Sequence, residues 1–395
     1  MGCYTPDAKN LKPEKGLPTK TAALISFAYL SSSLSLPLLL AGANDALEIV
    51  SWASCVLCVP VMYLSAKKTS HAVWLTILWF FLNAFLTSPV IPTLIFGSVI
   101  AISAASASIC GTGSKGLIFI SSATVISYVI SAALTFDPIV SLFSLALLIP
   151  TLILVFVTKK KTAMTQSIAS CGGGLIFVAL VTLIYRIYAL YGDIGQAGIT
   201  LAADSFINAF VYYTEWALSE VNETVITPTV RQDIISAAES YINLAPGLAV
   251  AAALILAFFA HSMQKNLFYS YGIDKYLSVE MTALTVSLPA AVVFLLSYLL
   301  SFATSASGSV SIIAVIGNNL CIMLTPCLLL KGVAALRAIP LKLGFFGLLI
   351  SGGIIIFLLF SPSLLSILAL IGAFFVIIIS IDRWAKDFYG KGENK

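Results

Sequence analysis

The chain has 395 residues, 59% of them hydrophobic and only 10% charged. Water-soluble domains carry about 25% charged residues, so this composition excludes a soluble globular protein. The formal charge of +4 is spread over short loops rather than gathered in one patch, so no nucleic-acid partner is expected.

The first 20 residues form a polar tail with Lys9, Lys12, Lys15 and Lys20. Apolar runs of about 20 residues follow, the length a helix needs to cross a bilayer core. Lipid offers no hydrogen-bond partner to a backbone, so such runs must be helices. The short alternating segments of a transmembrane barrel are missing. The runs predict an all-α polytopic transmembrane helix bundle of about 12 spans, at roughly 21–41, 46–65, 70–87, 90–109, 116–135, 138–158, 168–190, 246–267, 283–304, 310–330, 340–360 and 363–381. The expected organisation is a cytoplasmic tail (1–20), seven spans (21–191), an extracytoplasmic amphipathic segment (192–245), five spans (246–382) and a basic cytoplasmic tail (383–395).

Charge orients these spans. With the N-terminus in the cytoplasm, the inner segments hold Lys9 to Lys20, Lys67, Lys68, Lys115, Lys159 to Lys161, Lys265, Lys275, Lys331, Arg337, Lys342, Arg383, Lys386, Lys391 and Lys395. Only Arg186 and Arg231 fall elsewhere. Cytoplasmic loops of membrane proteins carry this bias toward Lys and Arg. The expected location is the plasma membrane, with both termini cytoplasmic and anionic lipids as partners at the inner face.

The segment from Gly192 to Ala245 is the one long polar stretch, with seven acids and Arg231 as its only base. Phe206, Phe210, Tyr213 and Trp216–Ala217 recur at helical spacing and predict a helix over about 199–221. Thr227-Pro228-Thr229 announces a second helix, with either Thr able to cap, Pro228 in the first turn, and Ile234, Ile235, Ala238, Tyr241 and Ile242 on its apolar face. Pro246 is expected to open the eighth span. Two such helices suit the membrane surface, the top of the bundle or a ligand-covering lid.

Polar groups at depth are where a membrane protein reveals its function. Asn318 and Asn319 stand midway along the tenth span and Asn83 in the outer half of the third. Each could bind a neighbouring helix or a ligand, though adjacent helical residues point about 100° apart and cannot both face one cavity squarely. Asp45 and Glu48 open the second span, where the helix dipole favours anions; capping and a cation or proton site are both open. Arg186, among Tyr185, Tyr188 and Tyr191, is placed to snorkel to the outer interface, to pair with Asp193 or Asp204, or to hold an anionic ligand. Ala101, Ala104, Ala105 and Ser108 form a smooth strip, and Gly172-Gly173-Gly174 also reads as close packing. Pro60, Pro150, Pro289 and Pro326 are expected to kink their spans.

The seven cysteines read as free, mostly apolar side chains. Cys55-x-x-Cys58 lacks the further ligands a metal needs, since His71 and His261 are the only histidines and are expected at the inner surface. No zinc-protease, phosphate-loop or serine-hydrolase motif occurs. The sequence therefore predicts no catalytic residue, no metal and no cofactor.

Residues 229–272, from TVRQDIISAAESYINLAPG through the span to LFYSYG, resemble the YybS-like family of bacterial membrane proteins, in which an amphipathic helix runs into a Pro and a long span. Lys331-Gly332-Val333-Ala334 followed by Arg337 to Lys342 is similar to that family's glycine-containing turn between late spans. Ile371-Gly372 through Asp382-Arg383-Trp384 is similar to its closing span. The resemblance implies a bundle whose N-terminal helices are distantly like the substrate-binding subunits of energy-coupling-factor vitamin transporters, and no site residues. It points to a small-molecule binding or transport-type protein with separate ATPase partners, against the alternative of a non-transporting scaffold that docks other envelope components. The scarcity of deep charges disfavours an ion-coupled carrier.

Overall fold

The computed structural model describes residues 17–66, 90–220, 226–273, 276–277, 284–307, 312–338 and 362–390. Among these residues every regular element is helical: α1 Thr19–Ala41, α2 Asn44–Ala66, α3 Val90–Thr112, α4 Ser114–Thr135, α5 Pro138–Lys159, α6 Met164–Tyr191, α7 Gln196–Glu220, α8 Pro228–Tyr271, α9 Leu288–Ser307, α10 Ile312–Ala338 and α11 Pro362–Gly390. Among the described residues nine helices are long and apolar enough to cross a membrane, and α9 adds a shorter apolar stretch. The chain is a multi-pass membrane protein by this measure. The expected spans at 70–87 and 340–360, and with them Asn83, lie outside the described residues.

Contacts divide the chain into two compact units, 1–186 with 253–285, and 187–252 with 286–395. The first unit is built round α1 and α3. Successive helical residues step by about 100°, so the five consecutive buried residues Ser31 to Ser35 mean that α1 is enclosed on every side. Every residue of α3 from Val99 to Cys110 is buried too. The small strip of Ala101, Ala104, Ala105 and Ser108 therefore lies at full depth, as its side chains suggested. Around this centre the polarity is inverted relative to a soluble protein. Val125, Val129, Phe177, Leu180 and Leu183 are exposed, whereas Ser32, Ser33, Ser54, Ser103, Ser127 and Thr151 are buried. Lipid supplies no hydrophobic force between helices, so small and hydroxyl side chains do the joining while bulky apolar ones face outward.

Two irregularities break this unit's helices. In α3, residues Thr93–Gly97 form a π turn. In α5, a short helix Pro138–Ser141 passes through a 3-10 segment, Leu142–Leu145, before the α-helix resumes at Leu148. Asp137 Oδ1 caps the first piece, accepting from the backbone N–H of Ile139 at 2.8 Å and Val140 at 3.1 Å. Pro150 thus falls in the first turn of the resumed helix, and Pro289 in the first turn of α9. There the missing N–H has no intrahelical role, so Pro289 starts its helix, contrary to the expectation that it kinks a span, whereas Pro150 follows directly on the break inside α5, as expected of a proline that interrupts its span. Pro60 and Pro326 do lie inside helices.

In the second unit, α7 and the first half of α8 form a helical hairpin. Phe210 and Tyr241 meet with ring centroids 5.5 Å apart, and Arg231 Nε lies 3.4 Å from Glu215 Oε1. Ile234 and Ala238 are buried on α8 as expected, but on α7 the buried positions are Gly198 and Val211, while Tyr213 and Trp216 are exposed. Thr227 rather than Thr229 caps α8, its hydroxyl accepting from the N–H of Val230 at 3.3 Å. The larger departure is at Pro246. It does not open a new helix: α8 runs unbroken for 44 residues with Pro246 inside it, about twice the length a bilayer core needs.

Gly332 and Gly372 explain how α10 and α11 pack. A Cβ on Gly332 would collide with the Leu368 carbonyl, and one on Gly372 with the Leu328 carbonyl. Each glycine receives the other helix's backbone directly. Gly332 therefore lies in a helix contact, not in the turn that its similarity to late-span glycines implied.

Candidate functional site

Three features in the first unit bring polar groups together at depth. The seam between α1 and α4 is the first. Ser33 Oγ is 2.9 Å from the Leu30 carbonyl oxygen and 2.9 Å from Ser127 Oγ. One turn earlier Tyr29, wholly buried, sits beside Thr124 of α4 and Thr151 of α5. The second lies between α5 and α8, where the Thr158 hydroxyl donates to Gln264 Oε1 at 3.2 Å. Gln264 is fully buried and its Nε2 has no partner among the described residues. His261, one turn before it, is equally buried. The third is the π turn of α3. Its Gly97 carbonyl faces Ser32 Oγ at 3.4 Å, Ser32 Oγ contacts Ser54 Oγ at 2.9 Å, and Thr93 Oγ1 points to the Ser51 carbonyl at 3.4 Å.

These hydroxyls were missed because a single Ser or Thr in a span signals nothing: its proton can bond the carbonyl one turn back on its own helix. The run Ser31-Ser32-Ser33-Leu34-Ser35 was the one available signal, since only some of those side chains can be absorbed in that way. Ser31 does bond its own helix, at Ala28 O, 3.0 Å. Ser32 and Ser33 reach other helices.

The residues singled out from the sequence separate into different roles. Asn319 is a splice in the second unit. Pro246 has no N–H and crowds the carbonyl one turn back, which disrupts the ladder of α8. The Asn319 carboxamide enters there: Oδ1 accepts from the Gly247 N–H at 2.6 Å and Nδ2 donates to the Asn243 carbonyl at 2.8 Å. Residues 243 and 247 are the pair that an intact helix would bond to each other. The side chain thus substitutes for one rung of the helix, and Nδ2 also donates to Val315 O on its own helix at 2.8 Å. Gly247 makes this approach possible, because a Cβ there would stand 2.7 Å from Asn319 Oδ1 and 2.9 Å from Asn319 O. Asn318, on a different face of α10, is half-buried.

Arg186 pairs with neither Asp193 nor Asp204. Its Nη1 donates to the Leu40 carbonyl at 3.2 Å, at the last turn of α1. A cation there meets the negative end of the helix dipole. Asp193 is engaged elsewhere, accepting from the N–H groups of Gly195 at 2.9 Å and Gly198 at 3.2 Å ahead of α7. Replacing Arg186 with Met is expected to lower stability by about 0.5–1 kcal/mol. A double-mutant cycle between Arg186 and Asp193, read by thermal unfolding, should give no coupling. Asp45 and Glu48 are exposed at the start of α2, with Asp45 in its first turn, where the dipole favours them.

Gly172 and Gly174 are close contacts as expected. A Cβ at the first would lie 3.2 Å from Leu254 Cδ2, and at the second 2.7 Å from Ile153 Cδ1; Gly173 faces open space. The six described cysteines form no disulfide, and among the described residues no group of His, Cys, Asp or Glu is placed to hold a metal.

No family model, no curated protein and no solved structure matches the chain.

Proposed function

We propose that this protein binds or carries a small, uncharged solute across the plasma membrane, through the hydroxyl-lined interior of its first unit. The observation that carries the reading is the set of buried polar atoms there with no partner among the described residues: Gln264 Nε2, Ser51 Oγ, Ser131 Oγ and Ser144 Oγ. An unmet hydrogen-bonding group in an apolar interior costs about 1–3 kcal/mol. Groups that face a hydrated or solute-filled path do not incur that cost. The break in α5 beside this interior agrees with the reading, because mid-helix 3-10 stretches and irregular backbone accompany hinges and solute paths.

The proposal includes twelve spans with both termini in the cytoplasm, membership of the YybS-like family and separate ATPase partners. Contacts within the first unit support the alternation of spans. Arg186 meets Leu40, and Phe143 meets Tyr185 at 5.0 Å, at one set of helix ends. Ser270 meets Ser65 at 3.4 Å, and Thr165 meets Thr285, at the other. Val90 packs with Leu38 and Leu47, so the end of α2 and the start of α3 lie at opposite ends of the unit, as a span at 70–87 requires.

Purification in gentle detergent, followed by mass spectrometry of everything retained, tests the function. A single small molecule held in stoichiometric amount, or an ATPase recovered with the chain, is the expected result. A second reading, docking of other envelope components, is favoured by the exposed Tyr212, Tyr213 and Trp216 on one face of α7. Recovery of envelope proteins with no bound small molecule would establish that reading and remove the first.

A further inference from the structure

We infer that α7 pairs with the α7 of a second copy of this chain, as a short parallel coiled coil outside the membrane core. Ile199, Ala202, Phe206, Ala209, Tyr213 and Trp216 recur along α7 at alternating intervals of three and four residues. That is the spacing of the seam between two coiled helices. The hairpin with α8 does not use this stripe. Val211 is buried within the hairpin, and Phe210 meets Tyr241. Ile199, Phe206, Tyr213 and Trp216 are instead 45–66% exposed.

Width and charge identify what covers the stripe. A helix that lies on lipid shows a broad apolar face, whereas a stripe only two positions wide is a coiled-coil seam. Ser205, Asn208 and Ser219 bound it on one side. The segment from Gly192 to Ala245 has seven acids, yet none stands in the seam or on its immediate flanks between Gly198 and Ser219. Asp204 and Glu215 fall at positions away from it, and Glu215 is taken up by Arg231 of α8. Glu220 occupies the next seam position and ends the seam. Identical copies bring identical flanks together, so flanks without charge permit self-pairing. A basic partner would find no acid there to recognise.

Position and symmetry fix the direction of the pair. The 44 residues of α8 form one helix, about twice the length the bilayer core needs. Its first half therefore stands beyond the core, with α7 antiparallel against it through Phe210–Tyr241 and Glu215–Arg231. Copies in one membrane are related by rotation about its normal, which leaves two upright helices parallel and in register. Layers of Phe206 and Tyr213 then alternate with layers of Ala202 and Ala209, whose small side chains let the helices approach. Tyr212, also exposed, flanks the seam. With aromatic areas of about 150–250 Å² each, these side chains leave about 500 Å² uncovered per copy. A pair would bury about 1,000 Å², the size at which a specific interface begins. Confinement of both copies to one membrane favours the pair further by raising their effective concentration. The pairing rests on neither reading of function given above, and it accounts for the exposed Tyr212, Tyr213 and Trp216 without an envelope partner.

The test is disulfide cross-linking of the full chain in native membranes, in a background free of cysteine. Ala209→Cys places a thiol in the seam, and Asp204→Cys places one on the far side of α7. Under a mild oxidant, Ala209→Cys should give a dimer of twice the chain mass at least ten times faster than Asp204→Cys. Adding Phe206→Glu to Ala209→Cys should slow that reaction at least ten-fold. Phe206 is half-exposed, so the charge is tolerated by the single chain; Tyr213→Glu repeats the test if Phe206→Glu does not fold. Equal rates at the two thiol positions, no dimer from Ala209→Cys, or a rate untouched by both charge variants would overturn the pairing. A cross-link from Ala209→Cys to a protein of another mass would also overturn it and give this face to an envelope partner. Quenching of Trp216 fluorescence by brominated lipid, in a chain whose other tryptophans are replaced by Phe, would overturn it in favour of the membrane surface.

Discussion

Replacing Gly372 with Ala is expected to destabilise the second unit, although intrinsic helix propensity alone predicts a gain of about 0.8–1 kcal/mol. The two effects have opposite signs, so the measurement decides between them. The new Cβ would occupy the position of the Leu328 carbonyl and stand 2.8 Å from the Gly332 N–H. Backbone cannot rotate aside as a side chain can. The helices must separate, with loss of contacts for Leu328, Ala369 and Ala373, which are buried together beside Phe294 of α9. Overpacking costs about 1–3 kcal/mol when side chains can yield, and more when they cannot. Gly372→Val should therefore reduce the yield of folded protein severely, and Gly332→Ala should behave like Gly372→Ala. Thermal or detergent unfolding that showed Gly372→Ala equal to or more stable than the native chain would contradict this packing.

Replacing Asn319 with Leu should cost about 1–3 kcal/mol. Two backbone groups of α8 lose their partner at once, and each unmet group costs about that range when fully buried. Asn243 is an exposed residue, so its carbonyl falls short of full burial, which lowers the sum. Asn319→Asp separates the two bonds: an ionised carboxylate still accepts from Gly247 but cannot donate to Asn243. Its second oxygen would face the Asn243 and Val315 carbonyls with no proton between them, so the variant should cost at least as much as Asn319→Leu above the carboxylate's pKa and recover as the carboxyl is protonated. The complementary variant, Pro246→Ala, restores an N–H to α8 and should reduce the penalty of Asn319→Leu. Additive effects of the two substitutions would mean that Asn319 does not serve the break at Pro246.

How far these features could be read beforehand depends on the range of the interaction behind each. The apolar runs were legible because a span is a local property: about 20 residues either satisfy the bilayer or do not. The small strip on α3 and the glycines of α6 were legible for the same reason, as a helix face without bulk has few other uses. Asn319 was visible as an amide out of place, but its role depends on Pro246, some seventy residues earlier. That is also why the continuity of α8 was misread. Proline is a local stop signal, and only a distant carboxamide shows that the helix carries on through it. The sequence around Arg186 leaves the interface, two nearby acids and an anionic ligand all open; its partner in the fold, the carbonyl of Leu40, is too distant in sequence to be among them.

The hydroxyl interior was the least legible feature. Ser and Thr hide in helices by bonding their own backbone, as Ser103 does with Val99 O, and Thr124 with Ile120 O at 2.8 Å. Only the fold distinguishes these from Ser32, Ser33 and Ser127, which join one helix to another. The π turn of α3 and the 3-10 stretch of α5 carry no signal stronger than Pro92 and Pro150 beside them. A search for charged or metal-ligating residues passes over such an interior, because its chemistry is made of neutral oxygens.

The most direct test of the proposed function asks whether water and small solutes reach that interior. Single cysteines would replace Ser33, Ser127, Thr151 and Gln264 in turn, in a chain otherwise free of cysteine, with Val125, Val129 and Phe177 as controls that face outward. Each protein would be treated in native membranes with a small water-soluble thiol reagent. A solute path predicts modification at the interior positions and none at the controls, with the reaction slowed by whatever solute is retained on purification. Interior positions as inert as the controls would mean that the hydroxyls only hold helices together, and would contradict the account.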